Sequence, residues 1–143
     1  MTEEEYIQDR LEDQLKWYDK KSSFNQRMFK RLVVIEILFS ITIPFLTSFS
    51  SDEKPEIKII IGTMGITIAL IAGLLSLYKF QENWINYRTT AETLKKEKYQ
   101  YLTKSGVYNN KKETEVFNLL VLRVEAIIST ENTHWQHKVQ DKE

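Results

Sequence analysis

Residues 59–78 read IIIGTMGITIALIAGLLSLY: fourteen of the twenty are apolar, and no ionisable group occurs before the terminal Tyr78. Twenty residues at about 1.5 Å of helical rise cover about 30 Å, the hydrocarbon thickness of a bilayer. A helix apolar on every side needs an apolar medium around it, and a chain of 143 residues has too few other apolar residues to supply one. The stretch is therefore read as a membrane-spanning helix.

Upstream, residues 32–49 (LVVIEILFSITIPFLTSF) hold twelve apolar residues among eighteen and form a second span by the same measure. Their one acid, Glu36, lies five residues past Arg31, about 7 Å along the helix. A charge at the bilayer centre costs about 3 kcal/mol and each large apolar residue returns about 0.3–0.6, so twelve of them offset one shallow acid. Residues 50–58 make a short external loop, with Pro55 suited to a tight turn into the second helix. The fold class expected is all-α and integral to the membrane, a two-helix transmembrane hairpin continuous with a cytoplasmic helical bundle.

Charge sets the orientation. Lys16, Lys20, Lys21, Arg27, Lys30 and Arg31 precede the first span, and Lys79, Arg88, Lys95, Lys96 and Lys98 follow the second, whereas the loop carries only Lys54 and Lys58. Eleven cations against two predict a multi-pass protein of the inner (plasma) membrane with both termini cytoplasmic. The 31 mostly polar residues before the first span, and the lack of a small-residue site after it, argue against a cleaved signal peptide.

The flanks carry helical periodicity. In residues 1–31, Thr2 and Glu5 have capping-box spacing, and Ile7, Leu11, Leu15 and Tyr18 form an amphipathic stripe. Ser23 with Gln26 repeats the capping pattern, so the helix either breaks near Ser22 and Ser23 or runs unbroken into the span. Over residues 79–105, Trp84, Tyr87, Ala91, Leu94, Tyr101 and Leu102 keep near-heptad spacing, as one helix leaving the membrane, up to a turn at Gly106 to Asn110. Asn110 with Glu113 then opens a last helix, residues 111–138, whose apolar face is Phe117, Leu120, Val121, Val124, Ile127 and Ile128. Such stripes must bury against one another, which predicts a helical bundle.

Composition excludes several functions. Twenty basic and twenty acidic residues give zero net charge, with a pI near 6.8, against a general nucleic-acid surface. Without cysteine there is no disulfide, thiolate metal site or cysteine nucleophile. Phosphate loops, nucleophile elbows and HExxH motifs are missing too, so neither an enzyme nor a cofactor is expected. His134 and His137 stand three apart with no third ligand nearby in sequence, and no metal is assigned to them. The charged stretch Lys95 to Lys98, with Lys104, Lys111 and Lys112, reads as a solvated helix face that also touches anionic head groups, the alternative being a specific lipid or nucleotide site. Tyr78, Phe80, Trp84 and Tyr87 fit an interfacial aromatic belt.

The runs RLEDQLKWYDKKSSFNQR (10–27), WINYRTTAETLKKEKYQYL (84–102), Gly106 with Tyr108, and VEAIISTENTHW (124–135) resemble the bacterial SLATT family. These are two-span effectors associated with SMODS nucleotidyltransferases and SLOG sensor domains, with stand-alone relatives catalogued as domains of unknown function. The most specific stretch is W-x-x-Y-R-x-T-A-E-x-L-K, and the resemblance spans nearly the whole chain as a single unit. It implies a pore-forming membrane protein that acts in defence systems driven by nucleotide second messengers. It transfers no catalytic residues.

A two-helix hairpin encloses no water path, so conductance requires a homo-oligomer around a central axis. Glu36, Ser40 and Thr47 lie near one face of the first span and would form an acidic, hydroxyl-lined ring favouring cations; the alternative is that Glu36 pairs with an interfacial Arg or Lys, or is neutralised by burial. Thr63 and Thr67 are further pore-lining candidates, unless their own backbone carbonyls satisfy them. Gly65, Ala69 and Gly73 recur every four residues and suit close helix packing, within the hairpin or between subunits. Pro44 removes a hydrogen bond from the interior of the first span. Arg88 and Glu92 are in ion-pair register for a buried cytoplasmic network. The function expected is an oligomeric pore gated through its cytoplasmic helices, by a partner protein or a nucleotide second messenger; the alternative is a membrane-anchored scaffold or sensor that binds a cytoplasmic protein without conducting.

Overall fold

The computed structural model describes residues 2–50 and 54–140, with side chains as far as Glu131. Every regular element among the described residues is helical. Helix α1 (Glu3–Glu5) passes through a π-helix (Tyr6–Leu11) into α2 (Glu12–Thr47), followed by α3 (Pro55–Tyr78), α4 (Phe80–Leu102), a 3₁₀ turn (Gly106–Tyr108) and α5 (Glu113–Gln140). Two compact units result: the segment through Ser23 together with Trp84 onward, and Phe24–Asn83.

The first unit is built from the predicted stripes. Thr2 and Glu5 close a reciprocal capping box: the Glu5 amide donates to Thr2 Oγ1 at 3.3 Å and the Thr2 amide to Glu5 Oε2 at 2.7 Å. Leu11, Leu15 and Tyr18 from the N-terminal helix, Ala91, Leu94 and Tyr101 from α4, and Val116, Leu120, Val124 and Ile128 from α5 are all buried in one core, with Tyr6 and Tyr108. Full burial of a Leu or Val side chain is worth about 1.5–3 kcal/mol, so this interdigitation holds the three helices together. Leu102, expected on the α4 stripe, is exposed, because the register of the buried positions runs 94, 97, 101. Tyr87 sits inside the unit, with its ring 5.7 Å from Trp17 and 6.1 Å from Tyr18, instead of in an outer belt.

Helix α2 is continuous through Ser22 and Ser23. Ser22 is buried and donates from its hydroxyl to the Trp84 carbonyl at 3.3 Å, which ties down the very position where a cap would have broken the helix. The helix that follows α3 is, by contrast, interrupted: Lys79 takes a left-handed φ of 48° and donates its amide to the Leu75 carbonyl, an αL stop. Asn83 Nδ2 donates to the Tyr78 carbonyl at 3.0 Å and α4 starts afresh at Phe80. At the far end of α4, Lys104 (φ 49°) takes the C′ place of a Schellman motif, with the Ser105 amide reaching the Gln100 carbonyl at 2.9 Å. Asn110 has φ 56° and ends this turn, while the first helical bonds of α5 are accepted by the Lys112 carbonyl, so α5 opens at Glu113 without the Asn110 cap.

In the second unit, α3 opens at Pro55, four residues before the apolar run. Ile57, Ile61, Met64, Ile68 and Leu75 are half-buried and Ile71 is buried, a stripe at steps of three and four, with Thr67 half-buried beside it. The matching stripe on α2 is Leu32, Glu36, Phe39, Ile43 and Leu46. The remaining faces are open: Ile41 is 66% and Ile66 65% exposed, and Leu38, Phe45, Ile59, Leu70 and Leu77 are exposed as well. One stretch among the described residues, beginning at Pro55, is long and apolar enough to cross a membrane.

Candidate functional site

Exposed apolar side chains in this number are rare on a water-facing surface, and the polar groups set among them are the first candidates. Ser40, Thr47, Thr63 and Thr67 each donate to the carbonyl four residues earlier (Glu36, Ile43, Ile59 and Thr63) at 2.7, 2.8, 2.9 and 2.9 Å. Their protons are taken within their own helices, which leaves oxygen lone pairs outward. Glu36 belongs to the half-buried stripe of α2, whereas Ser40 and Thr47 are exposed beside it. Its carboxylate has no hydrogen-bond or ion-pair partner among the described residues. The small residues of α3 do not face the stripe: a Cβ added at Gly65 or Gly73 would meet nothing within 4 Å, and Ala69 is exposed.

Arg88 and Glu92 do pair, Nη2 to Oε1 at 2.8 Å, but with side chains 56% and 50% exposed. The pair extends to Asp19, which lies 3.8 Å from Arg88 and 3.1 Å from Lys95. It is thus a surface cluster joining the N-terminal helix to α4. Asp19 Oδ1 is buried without a hydrogen bond among the described residues and lies 3.8 Å from Arg88 Nη1.

The buried network lies elsewhere. Glu97, whose side chain is 3% exposed, accepts from Arg123 Nε at 2.9 Å, from Arg123 Nη2, and from the Tyr108 hydroxyl at 2.8 Å. A second group of the same composition joins the N-terminal helix to α5: Glu125 accepts from Arg10 Nε and Nη2 at 3.0 and 2.9 Å and from the Tyr6 hydroxyl at 3.0 Å. Lys98 pairs with Glu12, and the Tyr18 hydroxyl reaches Glu131 at 3.3 Å. The Arg123 guanidinium holds the Glu97 carboxyl below its usual value against the opposing effect of burial, and Arg10 does the same for Glu125. Burial first, and then the carboxylate partner, push the Tyr6 and Tyr108 hydroxyls well above theirs.

Neither group was expected from sequence, since their bonded members lie 11 to 119 residues apart. The one local signal is Glu97 itself, three past Leu94 and four before Tyr101, an acid in the buried register of α4. Fixed charges of this kind, fully partnered by hydrogen bonds, specify how three helices meet; they present no nucleophile and no open coordination site. Among the described residues no group of three His, Asp or Glu is placed to hold a metal. His134 and His137 lie outside the residues whose side chains are described. An open, largely apolar groove lined by Tyr6, Phe117, Asn118, Val121 and Leu122 runs along the first unit.

No curated protein and no solved structure matches the chain. Residues 13–115 match the sequence profile of a family described as protein of unknown function (DUF4231). The matched stretch takes in both apolar segments, the Asp19–Arg88–Glu92–Lys95 cluster, and Glu97 with Tyr108, and it stops short of Arg123 and Glu125. Because it covers well over half of the sequence, the chain belongs to the DUF4231 family of proteins of unknown function.

Proposed function

We propose that this DUF4231 protein spans the inner membrane twice, through residues 32–49 and 59–78 with both termini in the cytoplasm, and that copies of it assemble into an ion-conducting pore of the SLATT kind. The observation that carries the pore is Glu36: an acid in an apolar helix, half-buried and without a side-chain partner among the described residues. An intramembrane carboxylate of that sort is retained at a cost of several kcal/mol, on the order of 3, unless it meets water, ions or a neighbouring subunit. The open apolar faces of α2 and α3 support the membrane, and the uncovered Gly65–Ala69–Gly73 face supports association between copies over packing within the hairpin. The three-helix unit outside the spans is the part available to a gating partner or a nucleotide second messenger.

A membrane-anchored scaffold without conductance is the second reading, favoured by the open groove along Tyr6, Phe117 and Val121. Ion flux from liposomes loaded with purified protein separates the two. A pore gives a leak that rises with protein density and changes selectivity in Glu36→Gln, whereas a scaffold gives none at any density.

A further inference from the structure

We infer that Pro44 makes the middle of the first span a coordination site for a partly dehydrated alkali cation, by leaving the backbone carbonyl of Ser40 without its helical donor. The inference rests on the pore reading above and names the ligand of that pore. In an α-helix the amide of residue 44 closes on the carbonyl of residue 40, and a proline there has no N–H to give. Helix α2 nevertheless runs on through Pro44 to Thr47. Neighbouring hydroxyls can repair such a gap in a membrane helix, but those of this stretch are engaged elsewhere. Ser40, Thr42 and Thr47 donate to the carbonyls of Glu36, Leu38 and Ile43 at 2.7, 2.7 and 2.8 Å, and Ser48 to those of Phe45 and Pro44 at 2.7 and 3.3 Å. No side chain among the described residues donates to the Ser40 carbonyl.

Ser40 and Pro44 are both exposed and four residues apart, which puts the freed oxygen on an open side of α2. Ser40 lies eight residues past Leu32, about 12 Å into the span and close to the bilayer midplane, where an unpaired carbonyl meets water or an ion only inside a pore. The Ser40 hydroxyl, its proton given to Glu36, adds outward lone pairs beside that carbonyl. Copies of the chain around one axis repeat the pair as a ring of neutral oxygens, the kind that replaces the hydration shell of a monovalent cation and still releases it. The one charge nearby, Glu36, stands a helical turn away, whereas a calcium site takes carboxylates as direct ligands.

Reversal potentials of the full chain in planar bilayers, under paired gradients of potassium, sodium, lithium and caesium, test this. We expect the wild-type chain to separate the most from the least permeant of these ions by about three- to tenfold beyond their free diffusion. Pro44→Ala returns an N–H to the Ser40 carbonyl and should bring the ratio down to that of free diffusion, while the preference for cations over chloride, which Glu36 carries, stays. Lactic acid in place of Pro44 has an ester unit with no N–H and no ring, so it isolates the carbonyl from the bend of the helix and should keep the wild-type ratio. Free-diffusion ratios in the wild type, a ratio that survives Pro44→Ala, or a lost ratio in the ester variant would each overturn the inference and leave the pore reading intact. If Pro44→Ala carries no current, the ester variant decides alone. A wild-type chain that conducts none of the four ions would overturn both.

Discussion

Arg123 on α5 grips the carboxylate of Glu97 on α4 with two guanidinium nitrogens, while the Tyr108 hydroxyl closes the same carboxylate from the intervening turn. Three backbone segments thus converge on one buried acid. That arrangement adds to the apolar core a polar group that fixes how α4, α5 and the intervening turn meet.

Removing that acid is expected to be costly. Glu97→Ala leaves a cavity, an unpartnered Tyr108 hydroxyl and an unpaired Arg123, and should lower the unfolding free energy by about 3 kcal/mol. Arg88→Ala, at a pair half open to water, should change it by less than about 1 kcal/mol. Chemical denaturation of both variants in detergent checks the contrast, and equal losses would contradict the assignment of Glu97 as the buried centre.

Acid should loosen the same unit. Glu97 and Glu125 are both held below the ordinary carboxylate value in the folded chain, so their contribution is fully present above that value, about 4.3, and is lost as pH falls through their lower folded values. Thermal melting followed by circular dichroism should show a midpoint that is flat near neutrality and declines below about pH 4.3. Glu97→Gln should flatten the decline. At the other extreme, Tyr6 and Tyr108 favour the protonated form in the fold, so stability should also fall above about pH 10.

At Glu36, the change to Gln preserves shape and removes charge. Conductance of reconstituted protein should lose cation preference, while the oligomer seen by light scattering in detergent stays the same size. Unchanged currents in a planar bilayer would remove Glu36 from the pathway.

The α3 glycines separate folding from assembly. A Cβ at Gly65 or Gly73 meets nothing in the chain, so Gly65→Ala/Gly73→Ala should preserve the monomer fold and raise helix stability by about 0.5–1 kcal/mol per site. Gly65→Leu/Gly73→Leu should keep the helix but dissociate the assembly, read by crosslinking in the bilayer.

Gly106 marks the opposite case. Its φ is +61°, and an added Cβ would come within 3.1 Å of Gln100 Nε2. Gly106→Ala should therefore cost about 1–2 kcal/mol, measured by denaturation.

Much of this architecture follows from local pattern. The capping box at Thr2, the stripes Leu11–Leu15–Tyr18, Ala91–Leu94–Tyr101 and Leu120–Val124–Ile128, and the apolar character of residues 59–78 all follow from periods of 3.6 residues and from side-chain polarity, which act over a few residues. Where two local signals competed, sequence left the outcome open. Ser22 and Ser23 could have capped a helix, and burial of the Ser22 hydroxyl against Trp84 decided for continuity. Past Tyr78 the periodicity pointed to one helix running on, and the left-handed Lys79 interrupts it instead.

The amino-acid sequence by itself determined that the chain is helical, which faces are apolar and where charge is concentrated, because those properties are summed over neighbours. Only the tertiary structure decided that Glu97 meets Arg123, that Arg10 meets Glu125, that Arg88 and Glu92 sit at the surface, and that Glu36 has no partner among the described residues. An ion pair is a relation between positions up to 115 residues apart, and every acid in the sequence could have met any of twenty cations until the packing of the three apolar stripes brought particular ones within 3 Å.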